Sequence, residues 1–495
     1  MAEATQRRRA PDGSAYGRPE QHPDYELTQV GPHTPCGELM RRYWQPVAVS
    51  SEVTSRPQYV RILGEDLIIF RDKSGRAGLL YPRCMHRGTT LFYGKVTEEG
   101  IACCYHGWLF DVEGRCLRQP CEPDGGKNLE VARQPWYPVE ERYGLVFTYM
   151  GPPENQPVLP RFDNLENLGP DEEIRGYMGA FGATGDNSLP IAPYSWLHMN
   201  DNVMDPFHVY VLHSTFTGVQ FANQFAVMPK VDFFATDEGV CYSAKRVLDD
   251  GREYDRISSW IMPNIMSVPN PIDINQERSN MISWSLPVDD SHFTMATASR
   301  APESGAAGLF ANGGFRFNGK LWHEMSLAEH QNTPGDYEAQ AGQGPISLHT
   351  EEHLAGSDRG IIMQRRILKQ QVKLVAEGGD PIGVSFDSSS ATIKIRSGNY
   401  YVAPQHARCL LAQASALGRL SASSTWKAHP CSAERTCALA ASARAGCLTD
   451  SRELRGIFRC SFRLRRIPIS RRGTVTISIR YAIRSRANSI SLPTA

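Results

Sequence analysis

The chain has 495 residues, 41% of them hydrophobic and 21% charged, and its 53 basic and 53 acidic side chains cancel. Zero net charge excludes a general attraction to nucleic acid or to an anionic membrane, and no apolar run approaches the roughly 20 residues of a membrane-spanning helix. Twelve cysteines spread over this length do not make the dense framework of a small disulfide scaffold, and the length itself suits two or three domains. The expected setting is cytoplasmic, with no nucleic-acid or membrane partner.

Residues 1–25 carry arginines but no apolar segment, so they read as a disordered leader and not as a secretory signal. Residues 26–43 read as a helical lead-in. Residues 44–150 read as short strands, at 60–63, 67–70 and 77–81, separated by Gly-Glu-Asp and Asp-Lys-Ser-Gly-Arg turns. Inside this region Cys84-Met85-His86 is followed, after sixteen residues, by Cys103-Cys104-Tyr105-His106. Two Cys and two His in this order suit a [2Fe–2S] cluster in which two thiolates hold one iron and two imidazoles hold the other. Only Cys103 gives a Cys-x-x-His spacing in the second loop, so Cys84, His86, Cys103 and His106 are the candidate ligands. Gly88 and Gly107 lie just past a ligand, where a loop wrapping a cluster needs an unhindered backbone. Taken alone, the four residues also suit a structural zinc, or simply buried cysteines.

A strand at 145–149 closes this region, and Gly151-Pro152-Pro153 opens a Pro-rich linker. Residues 151–404 mix helical segments with strands at 241–247 and 282–286. Within them Asp201, Asp205, His208 and His213 fall in thirteen residues. Two His and one carboxylate on one face of Fe(II) leave open positions for dioxygen. A regular helix separates residues five apart by about 140°, so His208 and His213 cannot both reach one iron from it. Asp205-Pro206 offers an N-cap and a first helical proline. A break near Asp205 and a bulge or helix end before His213 are therefore expected; two unrelated histidines on a buried segment are the alternative. Asp336, Glu338 and Asp358 are candidates for a third ligand, although Asp358 reads as the cap of a helix whose apolar stripe is Ile361, Leu368, Val372 and Val375. Phe207, Phe216 and Phe221 suit a pocket lining as well as a core, and Arg300 suits a surface salt bridge better than a substrate contact.

The runs CMHRG (84–88) and CCYHGWLFDVEGRC (103–116), with the approach GELMRRYWQPVAVSSEV (37–53) and VRILGEDLIIFRDKSGRAGLL (60–80), resemble the Rieske domain of aromatic-ring-hydroxylating oxygenases. The resemblance is to the large (alpha) oxygenase subunit of the phthalate-dioxygenase-like branch. Met85 and Cys104 depart from common family residues, at positions that are not ligands. Residues 201–213 match the family pattern of an acidic residue, three residues, Asp, two residues, His, four residues, His, with Asp201 in place of the commoner Glu. The segment 335–368 is similar to the stretch after the family's ligand Asp, and counting back from Gly344-Pro345-Ile346 places that ligand at Asp336.

The resemblance implies an α+β chain, with an all-β Rieske [2Fe–2S] domain over 44–150 and a helix-covered antiparallel-sheet catalytic domain over 151–404. It implies one Fe(II) per subunit on His208, His213 and Asp336. It implies that Asp205 bridges to His86 or His106 of a neighbouring subunit and carries the electron across, in a head-to-tail homotrimer. O2 and an aromatic compound would be the substrates, by cis-dihydroxylation or by monooxygenation and O-demethylation. NAD(P)H would supply electrons through a separate reductase, with or without a ferredoxin, which suits a chain lacking a G-x-G-x-x-G after a strand. The other reading is a Rieske electron-transfer protein or an inactivated oxygenase copy. Its basis is the tail: residues 405–495 carry a net charge of +13 and five cysteines, against −13 for 1–404. The tail reads as a basic arm, an extra domain or, by preference, out-of-frame sequence; alternation at 474–483 suggests one strand in it.

Overall fold

Antiparallel pairing organises the chain in the computed structural model, which describes residues 18–126, 129–179, 191–216, 218–271, 277–302, 320 and 324–402. The 405–495 tail and the first seventeen residues of the expected leader lie outside the described residues. Both regions that carry the candidate ligands belong to one contact unit, Met1–Ala416.

Seven helices punctuate the described chain: α1 (Tyr25–Thr28), α2 (Pro35–Arg41), α3 (Trp196–Val203), α4 (His208–Tyr210), α5 (Leu327–Asn332), α6 (Asp336–Ala341) and α7 (Arg359–Ala376). Thr34 caps α2 by accepting from the Gly37 N–H, with Pro35 at the first helical position. Residues 18–25, expected within a disordered leader, make specific contacts instead. Asp24 pairs with Lys369 of α7 at 2.6 Å, and the His22 N–H donates to Thr350. An ion pair to a packed helix anchors a segment whose own sequence has no apolar periodicity.

The N-terminal region forms three small antiparallel sheets. One joins Trp44–Val49, Leu145–Tyr149 and Val139–Arg142; another joins Gln58–Ile62, Glu65–Arg71, Ala77–Leu80 and Trp136–Tyr137. The third runs Lys95–Val96, Ile101–Ala102, Leu109–Phe110 and Cys116–Arg118. Leu63 and Gly64 have positive φ, as the turn between Gln58–Ile62 and Glu65–Arg71 requires.

The second region is an eight-stranded antiparallel sheet. Its order is Glu172–Met178, His292–Pro302, Met281–Asp289, Ile265–Ser267, Glu253–Ile261, Gly239–Val247 and Lys230–Ala235, with Gly398–Val402 also paired to Glu253–Ile261. Side chains alternate between its faces with the period of two that strands impose. Val240, Tyr242, Ala244, Trp260 and Met266 join a core with residues of α2, α3 and α7. Ile261, Ile265, Ile282, Trp284 and Leu286 face the other way and pack with Trp44, Leu145 and Phe147 of the N-terminal region. The sheet is thus covered by helices on one face and by the first domain on the other. The fold is α+β, all-β in its first part and helix-covered antiparallel sheet in its second.

Helix α7 aligns the helical layer. Of its expected apolar stripe, Ile361, Leu368 and Val372 are buried and Val375 packs at the margin. Gly360 permits the closest approach: a Cβ there would stand 2.6 Å from the Met204 carbonyl, at the end of α3. Arg365 then bonds Asp201 of α3 at 2.6 Å and also pairs with Glu352. The turn that leads to Asp205 is therefore fixed by packing and by a mostly buried ion network.

Candidate metal centres

The two cysteine loops are built alike. Each follows a strand, Ala77–Leu80 or Ile101–Ala102, and each closes on itself through the same pair of backbone bonds. Cys84 N–H donates to the Thr89 carbonyl and Gly88 N–H to the Cys84 carbonyl, at 2.9 and 2.8 Å. Cys103 N–H donates to the Trp108 carbonyl and Gly107 N–H to the Cys103 carbonyl, both at 2.9 Å. Gly88 and Gly107 close these turns with φ of 76° and 70°, the left-handed region that glycine adopts without strain.

The shared turn puts like groups together. Cys84 and Cys103 are both buried, in one apolar cluster with Ile68, Phe70, Leu80 and Phe110. His86 and His106 are half-exposed, edge to face with ring centroids 4.6 Å apart, and Trp108 stacks on His86 at 4.5 Å. Burial pushes the Cys84 thiol up to about 12, and the adjacent Cys103 adds to the shift. Two sulfur atoms side by side in an apolar core suit a cation held between them, which lets both act as thiolates. The donor set fits a cluster with a buried thiolate end and an outward imidazole end. Gln134, which the sequence alone did not single out, braces the first loop from beneath. It is buried, accepts the Met85 N–H at 2.8 Å and donates to the carbonyls of Tyr81 and Arg83. Cys104 and Cys121 are exposed, while Cys36, Cys116 and Cys241 are buried.

At the second centre, Asp205 caps the turn after α3. Its Oδ1 accepts the N–H groups of Phe207 and His208, at 2.9 and 3.3 Å. Past α4 the chain widens into a π-helix, Val211–Phe216, and His213 lies within it. This wider turn, with its i→i+5 bonds, is the departure from a regular helix that a five-residue spacing requires. The His208 and His213 rings end 5.3 Å apart at 72°. Asp336, the first residue of α6 and 123 positions after His213, reaches both rings. Its Oδ1 is 3.1 Å from His213 Nε2 and 3.5 Å from His208 Nε2, and ligand atoms of all three residues lie within 4.8 Å of one another.

The partners of each ring decide what faces the centre. His208 Nδ1 bonds the Asp205 backbone carbonyl, which can only accept, so Nδ1 carries the proton and Nε2 keeps a lone pair. Burial raises the Asp336 carboxyl, but the facing His213 and His208 rings, with the Asn202 amide at 3.2 Å, hold it well below the usual carboxylate range. Burial also lowers His208, whereas Asp336 overcomes burial and raises His213. A carboxylate confronting imidazole lone pairs in a mostly buried site calls for a shared cation, and two imidazoles with one carboxylate suit Fe(II).

The other candidates are used elsewhere. Glu338 accepts the Gly335 N–H at 2.8 Å and pairs with His330, and Asp358, the residue that precedes α7, accepts the Ala355 N–H at 2.6 Å. Asp201 belongs to the Arg365 network. Arg300 pairs with Glu172. Phe221 packs on His213 at 4.7 Å, whereas Phe216 is 70% exposed. Asn202 went unremarked in the sequence because its role depends on a residue 134 positions away.

Fold and site together define a two-centre metalloenzyme, with one loop pair suited to an iron–sulfur cluster and one facial triad suited to a mononuclear oxygen-activating metal. The family profile described as "Rieske [2Fe-2S] domain" matches residues 43–138. The chain is 56% identical over 390 residues to the phenoxybenzoate dioxygenase subunit alpha of Ectopseudomonas oleovorans, covering 79% of this chain and 94% of that one. It is 37% identical over 392 residues to the tert-butanol monooxygenase / tert-amyl alcohol desaturase oxygenase subunit of Aquincola tertiaricarbonis, covering 74% and 79%. The fold is similar to the crystal structure of dicamba monooxygenase bound to dicamba, with a TM-score of 0.50 and 18% identity over 68% of this chain and 98% of that one. The chain belongs to the Rieske non-haem iron ring-hydroxylating oxygenases, and it is an oxygenase component of such a system. Its cofactors are a Rieske [2Fe–2S] cluster and non-haem iron, and its electrons come from NAD(P)H through a partner reductase. Relatives that are oxygenase subunits favour this reading over an electron carrier or an inactivated copy. No described helix is long and apolar enough to cross a membrane.

Proposed function

We propose that Cys84, His86, Cys103 and His106 hold the cluster, that His208, His213 and Asp336 hold the Fe(II), and that the substrate is an aromatic carboxylate bearing a diaryl ether. The carrying observation is the convergence of three ligand atoms from two distant segments onto one point. The substrate reading is supported by 56% identity to a phenoxybenzoate dioxygenase subunit across 94% of its length. Ring dioxygenation balances as arene, O2, NAD(P)H and one proton giving a cis-diol and NAD(P)+. When bound, the cluster supplies one-electron storage and the mononuclear iron supplies O2 activation.

The chain's own residues do the positioning. Asn202 orients Asp336, and the Asp205 carbonyl fixes the His208 tautomer. Asp205 gives Oδ1 to the turn and has Oδ2 3.7 Å from His208 Nδ1, yet its side chain is 28% exposed, which leaves the carboxylate open to an imidazole N–H outside the subunit. His86 and His106 stand half-exposed at their loop tips, the complementary partners on a second copy. A closed head-to-tail ring gives every Asp205 such a partner, and a homotrimer is the proposed assembly. A cytoplasmic setting agrees with the unpaired state of all seven described cysteines.

The test couples low-temperature EPR and iron analysis to turnover of phenoxybenzoate under 18O2 with a reductase. Two labelled oxygens in the product are expected; one would convert the reading to monooxygenation. Absence of any labelled product, with both metals present, would refute the substrate class. Asp205→Ala should keep both metals yet reduce turnover to background, and near-normal coupling in that variant contradicts the bridging role.

A further inference from the structure

Resting on the ligand reading above, we propose that Gln220 is a positioning residue, a carboxamide clamp that sets the His213 tautomer and holds the His213 and Asp336 segments at ligand spacing. Gln220 makes three bonds that matter here. Its backbone N–H donates to the His213 carbonyl at 2.9 Å, tying the π-helical turn to the next loop. Its Nε2 donates to the Pro334 carbonyl at 3.2 Å, two residues before Asp336. Its Oε1 lies 2.8 Å from His213 Nδ1.

These contacts leave one consistent arrangement of protons. A carbonyl oxygen only accepts, so Pro334 draws the NH2 end of the amide and leaves the C=O end for the imidazole. That oxygen also only accepts, so His213 Nδ1 must carry the hydrogen. Nε2 then keeps its lone pair, 3.1 Å from Asp336 Oδ1. One side chain therefore connects the π-helical turn to the start of α6 and aims the ring at the same time. The Phe221 ring limits His213 from another side at 4.7 Å. His208 differs, because its Nδ1 is held by a backbone carbonyl that no substitution removes. His213 is the ligand whose orientation depends on a replaceable group.

The test is Fe(II) titration of the full-length protein, stripped at the mononuclear site and carrying an intact Rieske cluster. Outer-shell partners of metal-bound histidines are worth about 10–100-fold in affinity. Gln220→Leu is expected to raise the Fe(II) dissociation constant by about that factor and to alter the high-spin iron–nitrosyl EPR line shape, with the Rieske signal unchanged. Gln220→Glu, which keeps an acceptor for Nδ1 but gives up the donor to the Pro334 carbonyl, is expected to recover the part of the loss that comes from the tautomer. Wild-type affinity and line shape in Gln220→Leu overturn the clamp, and equal losses in both variants overturn the tautomer role. Should Gln220→Leu fail to accumulate, Gln220→Met keeps an unbranched shape and answers the same question. His213→Ala separates the two levels. Retained Fe(II) binding in it refutes the ligand reading, while loss there without loss in Gln220→Leu refutes only the clamp.

Discussion

The two metal centres are assembled by opposite strategies. The cysteine loops are local: each closes through its own backbone bonds, and all four candidate ligands lie within 23 residues of sequence, 84 to 106. The mononuclear centre joins residues 123 positions apart and depends on α3, α6 and α7 being aligned correctly. A local loop needs little beyond its turn chemistry and a small apolar seat. A long-range triad inherits every error in helix packing, so it is the centre that surrounding substitutions should disturb first.

The largest expected effect comes from the ligands. His208→Ala should abolish turnover and reduce iron from about three to about two atoms per chain with the Rieske spectrum intact. Cys84→Ser should do the reverse, erasing the Rieske signal while Fe(II) still binds at the second site. Iron analysis with EPR checks both, and loss of both centres in either variant breaks the claim of independence.

Next comes the ion network behind the triad. Arg365 is 13% exposed and stands between Asp201 and Glu352. Arg365→Met should cost about 3–5 kcal/mol, because it leaves two carboxylates without their cation in a mostly buried setting. Denaturant melts should show the loss, and Fe(II) affinity should fall before the Rieske signal does. A variant as stable as the wild type would mean that the network does not align α3 and α7.

A smaller effect is expected from acid. Burial, helped by His349 and the Arg365 charge, depresses His198 from 6.5 to about 4. The unfolded chain binds this proton below about pH 6.5, while the folded one resists it down to about pH 4. The contribution to stability is therefore full above pH 6.5 and is lost as pH falls toward 4, up to about 3 kcal/mol. His198→Leu should show a shallower fall in melting temperature across this window, and an unchanged slope would remove His198 from the account. Because His198 lies on α3, acid should weaken the mononuclear centre before the cluster.

How much was legible follows the same division. The Rieske loops could be read outright, because ligand type, spacing and the glycines at 88 and 107 are all local. The strands at 60–63, 67–70 and 77–81 reappear as Gln58–Ile62, Glu65–Arg71 and Ala77–Leu80, since short apolar runs between turn signals mark strands whether one face is buried, as in the first, or both, as in the other two. The misfit of a five-residue histidine spacing with a regular helix anticipated a break, and the π-helix over Val211–Phe216 is its physical form. Residues 18–25 could not be placed, because Asp24 is held by Lys369, far along the chain.

The sequence by itself determined the chemistry: which side chains could bind metal, in what order, and with what local turns. Tertiary structure decided which carboxylate completes the triad, which ring nitrogen faces it, and which side chains outside the ligand set hold it. Asp336, Glu338 and Asp358 are equivalent as letters. They differ because packing turns one toward two imidazoles, commits another to the Gly335 N–H and His330, and leaves the third on the Ala355 N–H just before α7. Spacing along a chain records local geometry, while convergence of distant segments is set by the shapes that their cores allow.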